Sequence, residues 1–223
     1  MTRIIDILLS GLAIIVLSPL LLPIMLILRF TGEGKVLYLQ ERVGQDGKPF
    51  GIWKFATMLE NSPNMKNAYI TTHGDPRVLP FGGFLRKSKI NELPQLVNIL
   101  KGDISVVGPR PQVKAHLDLY PKDKLDDVLS IQPGLTGIAS LFFRDEETMI
   151  SNSDMEPKEF YRAFIAPYKA DLEIWYKNNQ NLYTYFMLIA LTAWSIFFSD
   201  SKLYRKVFKD LPVPPKELIV GEV

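Results

Sequence analysis

The chain has 223 residues, a mean hydropathy of +0.07 and a formal net charge of only +2. This length fits one domain, or one domain with membrane elements, and the small charge excludes the broad basic field that nucleic-acid binding uses. The absence of cysteine excludes disulfides, thiolate catalysis and cysteine-based zinc sites. The two histidines, His73 and His116, lack the close spacing of a histidine metal site. Any metal should therefore be a hard ion such as Mg²⁺ held by oxygen.

The chain opens with an uncharged segment, Ile7 to Leu28, that is long enough to cross a bilayer. A plain spanning helix is one interpretation. Ser18 and Pro19 stand at the middle of the segment, where proline removes a backbone bond and bends the axis, and serine can bond the freed groups. Arg3 and Arg29 flank the segment with positive charge, so no charge asymmetry favours spanning. We therefore predict a re-entrant helix, broken at Ser18 and Pro19, that enters and leaves by the cytosolic face.

Short apolar runs later in the chain predict strands. The runs Val36–Gln40 and Phe50–Phe55 are separated by a turn at Gly44–Pro49, which is the pattern of a β-hairpin. Lys54 lies within the second of these strands. The β-branched run Ile104–Val107 predicts another short strand.

The stretch from Leu85 to Gln112 combines a predicted helix start with a cluster of cations that includes Arg86. Apolar residues recur there at helical spacing: Ile90, Leu93, Val97 and Leu100. Pro94 would lie in the first turn, where its missing N–H costs no bond, and Asn91 would be the N-cap. A helix start among cations favours a phosphate site. A capped surface helix in a solvated charge run is the alternative.

The C-terminal half is predicted to be mostly helical. A polar helix is expected over His116–Leu129, and another over Phe160–Asn178. The acidic stretch Phe142–Lys158 between them predicts a mobile loop. The uncharged, aromatic run Tyr183–Phe198 is short for a span and favours an interfacial or tightly packed helix, with a buried core helix as the alternative.

These patterns divide the chain into three parts. Residues 1–30 form the membrane helix, residues 31–211 form a cytosolic domain with membrane-interfacial helices, and residues 212–223 form a tail without periodic pattern that is expected to be poorly ordered.

Ordered blocks of sequence carry a resemblance to a known family. They lie at residues 40–44, 47–50, 53–55, 75–77, 82–86, 85–112 and 132–137. Together with the hydrophobic start of the chain, they closely resemble the bacterial sugar transferase family, the monotopic phosphoglycosyl transferases. The resemblance implies an α/β fold: a small catalytic domain that mixes helices with a β-hairpin, on an N-terminal re-entrant membrane helix with interfacial helices.

The resemblance also implies an activity and a location. Enzymes similar to this chain transfer a sugar 1-phosphate from a UDP-sugar to undecaprenyl (polyprenol) phosphate and release UMP. A carboxylate attacks phosphorus, and the lipid phosphate then resolves the phosphosugar-enzyme. The implied site is the cytoplasmic face of the bacterial inner membrane, where a monotopic protein meets the lipid bilayer. The sequence does not name the sugar, and it leaves the oligomeric state open, so that a homodimer is compatible with it.

Five side chains receive roles through this resemblance. Arg86 and Arg110 are expected to hold phosphate oxygens, because a guanidinium engages two oxygens together. Arg144 is expected at the nucleotide diphosphate, Lys54 at a further phosphate contact, and Glu92 at a Mg²⁺ ion. A solvated surface position is the alternative for each cation taken alone.

Asn91 departs from the family pattern, which has the Asp nucleophile at this position. A neutral carboxamide cannot attack phosphorus usefully. Four explanations are open: an engineered substitution, a natural branch in which Glu92 is the nucleophile, direct transfer to the lipid phosphate, and a non-catalytic relative that binds UDP-sugar or polyprenol phosphate. Ala56 also replaces a basic residue that relatives usually carry, which should weaken phosphate binding without abolishing it.

Overall fold

The fold is described from a computed structural model, which places residues 2–62, 65, 75–198 and 201–219. His73 lies outside the described residues. The chain divides into two compact units. The first contains Arg3–Glu41 and Gly51–Gly102, and the second contains Arg42–Phe50 and residues 103–219.

The first unit consists of one long helix, most of a β-hairpin and two short helices. Its elements are α1 (Thr2–Phe30), β1 (Leu37–Val43), β2 (Pro49–Phe55), α2 (Pro80–Lys87), a 3₁₀ turn (Ile90–Glu92) and α3 (Gln95–Lys101). The strands β1 and β2 pair as a two-stranded sheet, so the predicted hairpin is confirmed with slightly longer strands. The base of the hairpin belongs to this unit and its tip to the second.

The helix α1 runs through Ser18 and Pro19 without a break in its helical assignment. Pro19 has no N–H to donate to the carbonyl of Ile15, and the Ser18 hydroxyl donates to that same carbonyl at 2.8 Å. The hydrogen bond predicted for Ser18 is therefore present, and the helical assignment is not interrupted at the predicted break. Among the described residues, α1 is the helix long and apolar enough to cross a membrane. The re-entrant arrangement in a bilayer remains a prediction.

The core of the first unit joins the second half of α1 to the hairpin and α2. Ile24 and Leu28 of α1 pack with Phe55 of β2 and Leu85 of α2. Burial of such side chains stabilises a fold by roughly 1.5–3 kcal/mol each. This cluster fixes α2, which carries Arg86, against the strand that carries Lys54.

The second unit is a small parallel strand pair surrounded by helices. Its elements are β3 (Ser105–Val107), α4 (Lys114–Leu117), α5 (Lys122–Leu129), β4 (Gly134–Thr136), α6 (Ile138–Phe142), α7 (Glu146–Ser151), α8 (Pro157–Phe160), a π-helical segment (Tyr161–Ile165), α9 (Ala166–Asn178), α10 (Leu182–Phe197), α11 (Leu203–Val207) and a 3₁₀ turn (Lys216–Leu218). In the parallel pair, Ser105 is opposite Gly134 and Val107 is opposite Thr136. The helix α9 packs on α5 and α6, and α10 packs on the strands.

Three predictions for this unit are wrong in detail. The helix expected over His116–Leu129 is two helices, because Pro121 cannot continue α4 and instead precedes α5. The expected mobile loop at Phe142–Lys158 contains α7. The tail is packed through residue 219, since Leu218 is buried and Tyr168 donates to the carbonyl of Pro212 at 2.8 Å.

The helix α10 combines the two interpretations of its sequence. Tyr185, Leu188 and Leu191 are buried in the second unit, whereas Phe186 and Phe197 on the other side are exposed. The helix is therefore a packed element of the core that also presents an aromatic face.

Candidate phosphate-binding site

The turn that carries Asn91 and Glu92 is short and bent. Lys89 precedes it with a left-handed backbone (φ 59°), and Ile90–Glu92 forms a single 3₁₀ turn. The prediction that Asn91 caps the helix is wrong. A cap at this position would bond the N–H of Leu93 or of residue 94, but Leu93 already donates to the carbonyl of Ile90 and Pro94 has no N–H. The helix α3 begins only at Gln95.

The Asn91 side chain is instead turned inward. It is 8% exposed, and its Oδ1 atom has no hydrogen-bond donor among the described residues. Glu92, by contrast, is only partly buried. The turn packs against α2, whose last turn carries Arg86, so the structure brings Arg86, Asn91 and Glu92 onto neighbouring elements. The Arg86 guanidinium lies 3.7 Å from the sulfur of Met58, a weak contact.

Asn98 fixes α3 to the strand that carries Lys54. Its side-chain nitrogen donates to the carbonyl of Gly51 at 2.8 Å, and its oxygen accepts from the N–H of Trp53 at 2.9 Å. The side chain is fully buried, so both bonds are protected from water. Sequence reasoning missed this residue, although a polar residue on the apolar side of a predicted helix was a signal. Lys54 itself makes a long contact, 3.4 Å, with the amide oxygen of Gln40.

The far end of α3 is bonded to the start of α1. The Arg3 guanidinium donates to the carbonyl of Ile99 and, at 2.7 Å, to that of Leu100. Carbonyls at a helix C-terminus lack intrahelical partners, and a cation there also complements the helix dipole. Arg3 therefore caps the helix that follows the Asn91–Glu92 turn.

The block at residues 75–77 has a structural role in the first unit. Asp75 and Arg77 form a buried ion pair with several hydrogen bonds, the shortest 2.6 Å between Oδ2 of Asp75 and Nη2 of Arg77. The backbone of Leu79, at the start of α2, then bonds to the carbonyl of Thr57. Gly82 in α2 permits this close approach, because an added Cβ would lie 2.2 Å from the Thr57 oxygen. The block thus positions the helix that bears Arg86.

In the second unit, Arg110 lies in a turn built from main-chain contacts. The turn at residues 108–111 follows β3, and Gly108 donates to the carbonyl of Thr136 at 2.8 Å while Gly134 donates to that of Pro109 at 2.8 Å. An added Cβ on Gly134 would lie 2.1 Å from the Gly108 nitrogen. The two sequence blocks at 108–111 and 132–137 are therefore one structure, held by close backbone packing.

The tip of the hairpin supports the same turn. Arg42 donates to the carbonyl of Pro111 at 3.2 Å, and the N–H of Val43 donates to that of Gln112 at 3.0 Å. The Gln112 side chain in turn donates to the Arg110 carbonyl at 3.1 Å. These contacts fix the backbone on both sides of Arg110.

Behind the turn lies a narrow cleft with a buried carboxyl group. Arg110 and Gln112 line it together with Tyr120 and Glu173. Glu173 is 3% exposed, and its Oε2 atom has no hydrogen-bond partner among the described residues. Burial raises the pKa of Glu173 to about 8, against a smaller opposing effect of Lys169. Glu173 was missed from the sequence, although its position between Leu172 and the aromatic residues of α9 indicated the buried face.

The groups around Glu173 form a buried polar network in the second unit. Lys169 pairs with Glu146 and lies over the ring of Tyr161, 5.0 Å from its centre. His116 stacks near the same ring, and burial, followed by the charge of Lys169, lowers its pKa. His116 should therefore be neutral at pH 7, and it then adds no charge to the polar network around Glu173.

Arg144 lies in the connection between α6 and α7. Its Nη1 atom is buried and has no hydrogen-bond acceptor in the part of the chain that the structure describes. The guanidinium lines a second narrow cleft, with residues of α10 and α11. The six predicted site residues are thus distributed as four in the first unit (Lys54, Arg86, Asn91, Glu92) and two in the second (Arg110, Arg144).

A metal would need ligands from outside the protein at this site. The described residues contain no group of three or more His, Asp or Glu side chains able to hold an ion. Glu92 and the Asn91 oxygen are hard oxygen donors, which is the kind that Mg²⁺ prefers. The chemistry of these two donors fits a shared ion whose other ligands are phosphate oxygens and water.

Comparison with known proteins identifies the family. The profile of the family described as "Bacterial sugar transferase" matches residues 1–199. The UDP-glucose:undecaprenyl-phosphate glucose-1-phosphate transferase of Escherichia coli is 35% identical over 176 residues, which are 77% of this chain and 36% of that protein. The exopolysaccharide production protein ExoY of Sinorhizobium fredii is 37% identical over 155 residues, 63% of this chain and 68% of that protein.

A further relative has the same enzyme name as the E. coli protein. The UDP-glucose:undecaprenyl-phosphate glucose-1-phosphate transferase of Klebsiella pneumoniae is 41% identical over 143 residues, covering 62% of this chain and 30% of that protein. The chain thus spans about a third of the two glucose-1-phosphate transferases and about two thirds of ExoY. The profile match over most of its length is sufficient to place it: the chain belongs to the bacterial sugar transferase family.

Proposed function

We propose that the protein transfers a sugar 1-phosphate from a UDP-sugar to undecaprenyl phosphate and releases UMP. The observation that carries this proposal is the family match over residues 1–199, together with the names of the glucose-1-phosphate transferases that the chain resembles. Exopolysaccharide synthesis is a fitting context, because ExoY is among the relatives.

The side chains present suit phosphoryl transfer. This chemistry depends on in-line positioning and on neutralising charge at the phosphate oxygens. Arg86, Arg110 and Arg144 supply guanidinium groups, and Lys54 supplies an ammonium group. Arg110 is held on a turn whose backbone is bonded on both sides, which favours a fixed geometry.

Mg²⁺ is the proposed cofactor. When bound, the ion would offset the negative charge of the diphosphate. Glu92 would hold it through its carboxylate, with Asn91 offering its unpartnered side-chain oxygen. Both residues lie on one short turn beside Arg86, and this arrangement supports a shared ion more than a site built by the protein alone.

The nucleophile is the open part of the mechanism. In a covalent route, a carboxylate oxygen forms a bond to the sugar-proximal phosphorus, the bond from phosphorus to UMP breaks, and the lipid phosphate oxygen later displaces the carboxylate. Asn91 cannot begin that route, because its side chain is a neutral carboxamide. Glu92 is the carboxylate that remains on the turn. Direct attack by the lipid phosphate oxygen on phosphorus gives the same products without an enzyme adduct. We favour loss of the usual Asp nucleophile with retention of the binding site.

The proposed location is the cytoplasmic face of the inner membrane. In this arrangement α1 enters one leaflet and leaves it by the same face, so that both of its ends lie on the cytoplasmic side. The exposed apolar surface of α1 and the Ser18 bond to the carbonyl that Pro19 cannot reach support an apolar environment around this helix. Single cysteines at Thr2 and Thr31, in this cysteine-free chain, test the topology. Labelling of position 2 from the periplasmic side by a membrane-impermeant maleimide would establish a spanning helix instead.

The activity is tested by UMP release from the full chain with undecaprenyl phosphate and a panel of UDP-sugars. Release with at least one sugar is expected, and binding of a UDP-sugar without release would instead favour the non-catalytic alternative. Asn91→Asp should raise turnover by orders of magnitude and yield a phosphosugar adduct on residue 91 after rapid quench. If Glu92 is the natural nucleophile, the adduct appears on Glu92 in the unmodified protein. Release without an adduct on either residue leaves direct transfer.

A further inference from the structure

The Arg144 side chain lines the narrow cleft that it forms with residues of α10 and α11 in the second unit. Its Nη1 atom is withdrawn from solvent and meets no acceptor among the described residues. A buried N–H without a partner costs free energy comparable to a lost hydrogen bond, and the cost is greater for a charged group. Such a nitrogen is stabilised when an anion supplies the missing oxygen.

The walls of this cleft are apolar with two hydroxyl groups. Leu141, Leu191 and Leu203 supply the apolar walls, and Ser195 and Ser201 supply the hydroxyls. The Ser201 hydroxyl accepts from the indole N–H of Trp194 at 3.0 Å, and a hydroxyl that accepts one bond can still donate its own proton to an incoming oxygen. The cleft itself has room for about one water molecule, so a phosphate group would meet Arg144 at its mouth and leave the rest of the ligand outside.

The rim of the cleft is an exposed hydrocarbon surface. Trp194 lines the cleft and is itself 44% exposed, and its ring stacks on Phe198 with centres 4.1 Å apart. Ile196 and Phe197, at the same end of α10, are 63% and 81% exposed. A cation at the base and apolar side chains at the rim complement an anion attached to a hydrocarbon chain. A nucleotide would place ribose and base hydrogen-bonding groups against this apolar rim.

We propose that the Arg144 cleft binds the phosphate of the polyprenyl phosphate acceptor, with its hydrocarbon chain along Trp194 and Phe197. This inference rests on the proposed function and refines it, since it assigns Arg144 to the lipid substrate and not to the nucleotide diphosphate. Ser201 is the second expected donor to the phosphate. The source of the phosphate is distinguished by the ligand used in the test.

The binding test uses the full chain in detergent and measures the shift in melting temperature caused by three ligands: farnesyl phosphate, farnesol and UDP. Farnesyl phosphate should stabilise the unmodified protein and Arg144→Lys, though the latter less, and should not stabilise Arg144→Met. Farnesol should stabilise none of them. Arg162→Met is the matched control, because Arg162 is an exposed arginine of the same unit, and this variant should respond like the unmodified protein.

The outcomes of this test are distinct. If UDP no longer raises the melting temperature of Arg144→Met while farnesyl phosphate still does, Arg144 binds the nucleotide and not the lipid phosphate. Equal shifts with all three ligands in every variant would overturn the assignment altogether. Arg144→Lys keeps the charge, so it guards against a variant that fails only because it does not fold.

The kinetic test separates this inference from the proposed function. In UMP release with undecaprenyl phosphate, Arg144→Met should raise KM for the lipid about tenfold or more and change KM for the UDP-sugar less than about twofold. The reverse pattern would overturn the inference while the transferase activity stood. Absence of UMP release from the unmodified protein with every UDP-sugar would instead overturn the proposed function, and the farnesyl phosphate test would still decide the Arg144 assignment.

Discussion

The two turns that carry the proposed chemistry are built in different ways. The Ile90–Glu92 turn is held through side chains: Asn98 ties the following helix to β2, and Arg3 caps that helix at its other end. The turn at residues 108–111 is held by the backbone, since Gly108 and Gly134 approach so closely that neither can carry a side chain. In a turn of the first kind, the bonds made by Asn98 and Arg3 do not involve Asn91, so an exchange of Asn91 for Asp leaves them in place. A turn of the second kind fixes its arginine but accepts little change.

The largest effect is expected at the first turn and should appear in activity alone. Glu92→Gln removes the carboxylate that remains beside Arg86, so UMP release should fall on the order of a thousandfold, while the melting temperature changes little. EDTA should likewise abolish release, and added Mg²⁺ should restore it. Wild-type turnover in the variant, or indifference to EDTA, would mean that the site lies elsewhere.

At the second turn, the largest effect should be on folding. Gly134→Ala places a methyl group 2.1 Å from the Gly108 nitrogen, and neither backbone can move without breaking the parallel pair. We expect a loss of about 3 kcal/mol or more, or failure to accumulate as folded protein. Gly83→Ala is the control, because an added Cβ there meets nothing within 4 Å. A folded, stable Gly134→Ala protein would refute the backbone account of this turn.

The buried carboxyl group of Glu173, in the cleft behind the turn at residues 108–111, should make the stability of the protein depend on pH. Burial raises the pKa of Glu173 to about 8 in the folded protein, against an ordinary value of 4.5 for this carboxyl group in the unfolded chain. Below pH 4.5 the carboxyl is protonated in both states and costs no stability. As pH rises from 4.5 towards 8, the carboxyl ionises in the unfolded chain but stays protonated in the folded protein, so the free energy of unfolding falls. Glu173→Gln should remove that loss, on the order of 4 kcal/mol by pH 8.

The measurement is the melting temperature of both proteins between pH 5 and pH 8. Glu173→Gln should gain on the unmodified protein steadily as pH rises. Glu147→Gln, at an exposed position of α7, is the control and should follow the unmodified protein. A constant difference between Glu173→Gln and the unmodified protein across this range would mean that Glu173 ionises normally in the folded state.

The smallest effect should come from the side-chain support of the first turn. Asn98→Ala leaves the Gly51 carbonyl and the Trp53 N–H without partners, and we expect a loss of about 2 kcal/mol in unfolding free energy. UMP release should fall too, because Lys54 follows Trp53 on the strand that Asn98 holds. Asn152→Ala, at an exposed position, should do neither. An unchanged melting temperature in Asn98→Ala would show that the hydrophobic core alone fixes α3.

The sequence predicted the parts of the fold that depend on local pattern. The hairpin and the short strand near Ile104–Val107 follow from the alternation and β-branched character of their residues. Pro94 was expected in the first turn of the helix, whereas it precedes α3 as the N-cap residue. The role of Asn91 as a cap did not follow, because it depended on which N–H groups the neighbouring turn had already used. Glu173 and Asn98 were missed for a related reason. Their importance comes from burial against other elements, which a single helical pattern does not specify.

The bond from Arg3 to the end of α3 has a consequence for the order of events during synthesis. The carbonyls that Arg3 bonds belong to residues 96 and 97 positions later in the chain. Arg3 therefore leaves the ribosome long before its partners exist, and α1 is synthesised before the end of the helix that Arg3 caps. The final seating of α1 must wait until α3 has emerged and folded. The bonds between the start of α1 and the end of α3 thus form only after residue 100 has been synthesised, and they join the first residues of the chain to the helix that follows the Asn91–Glu92 turn.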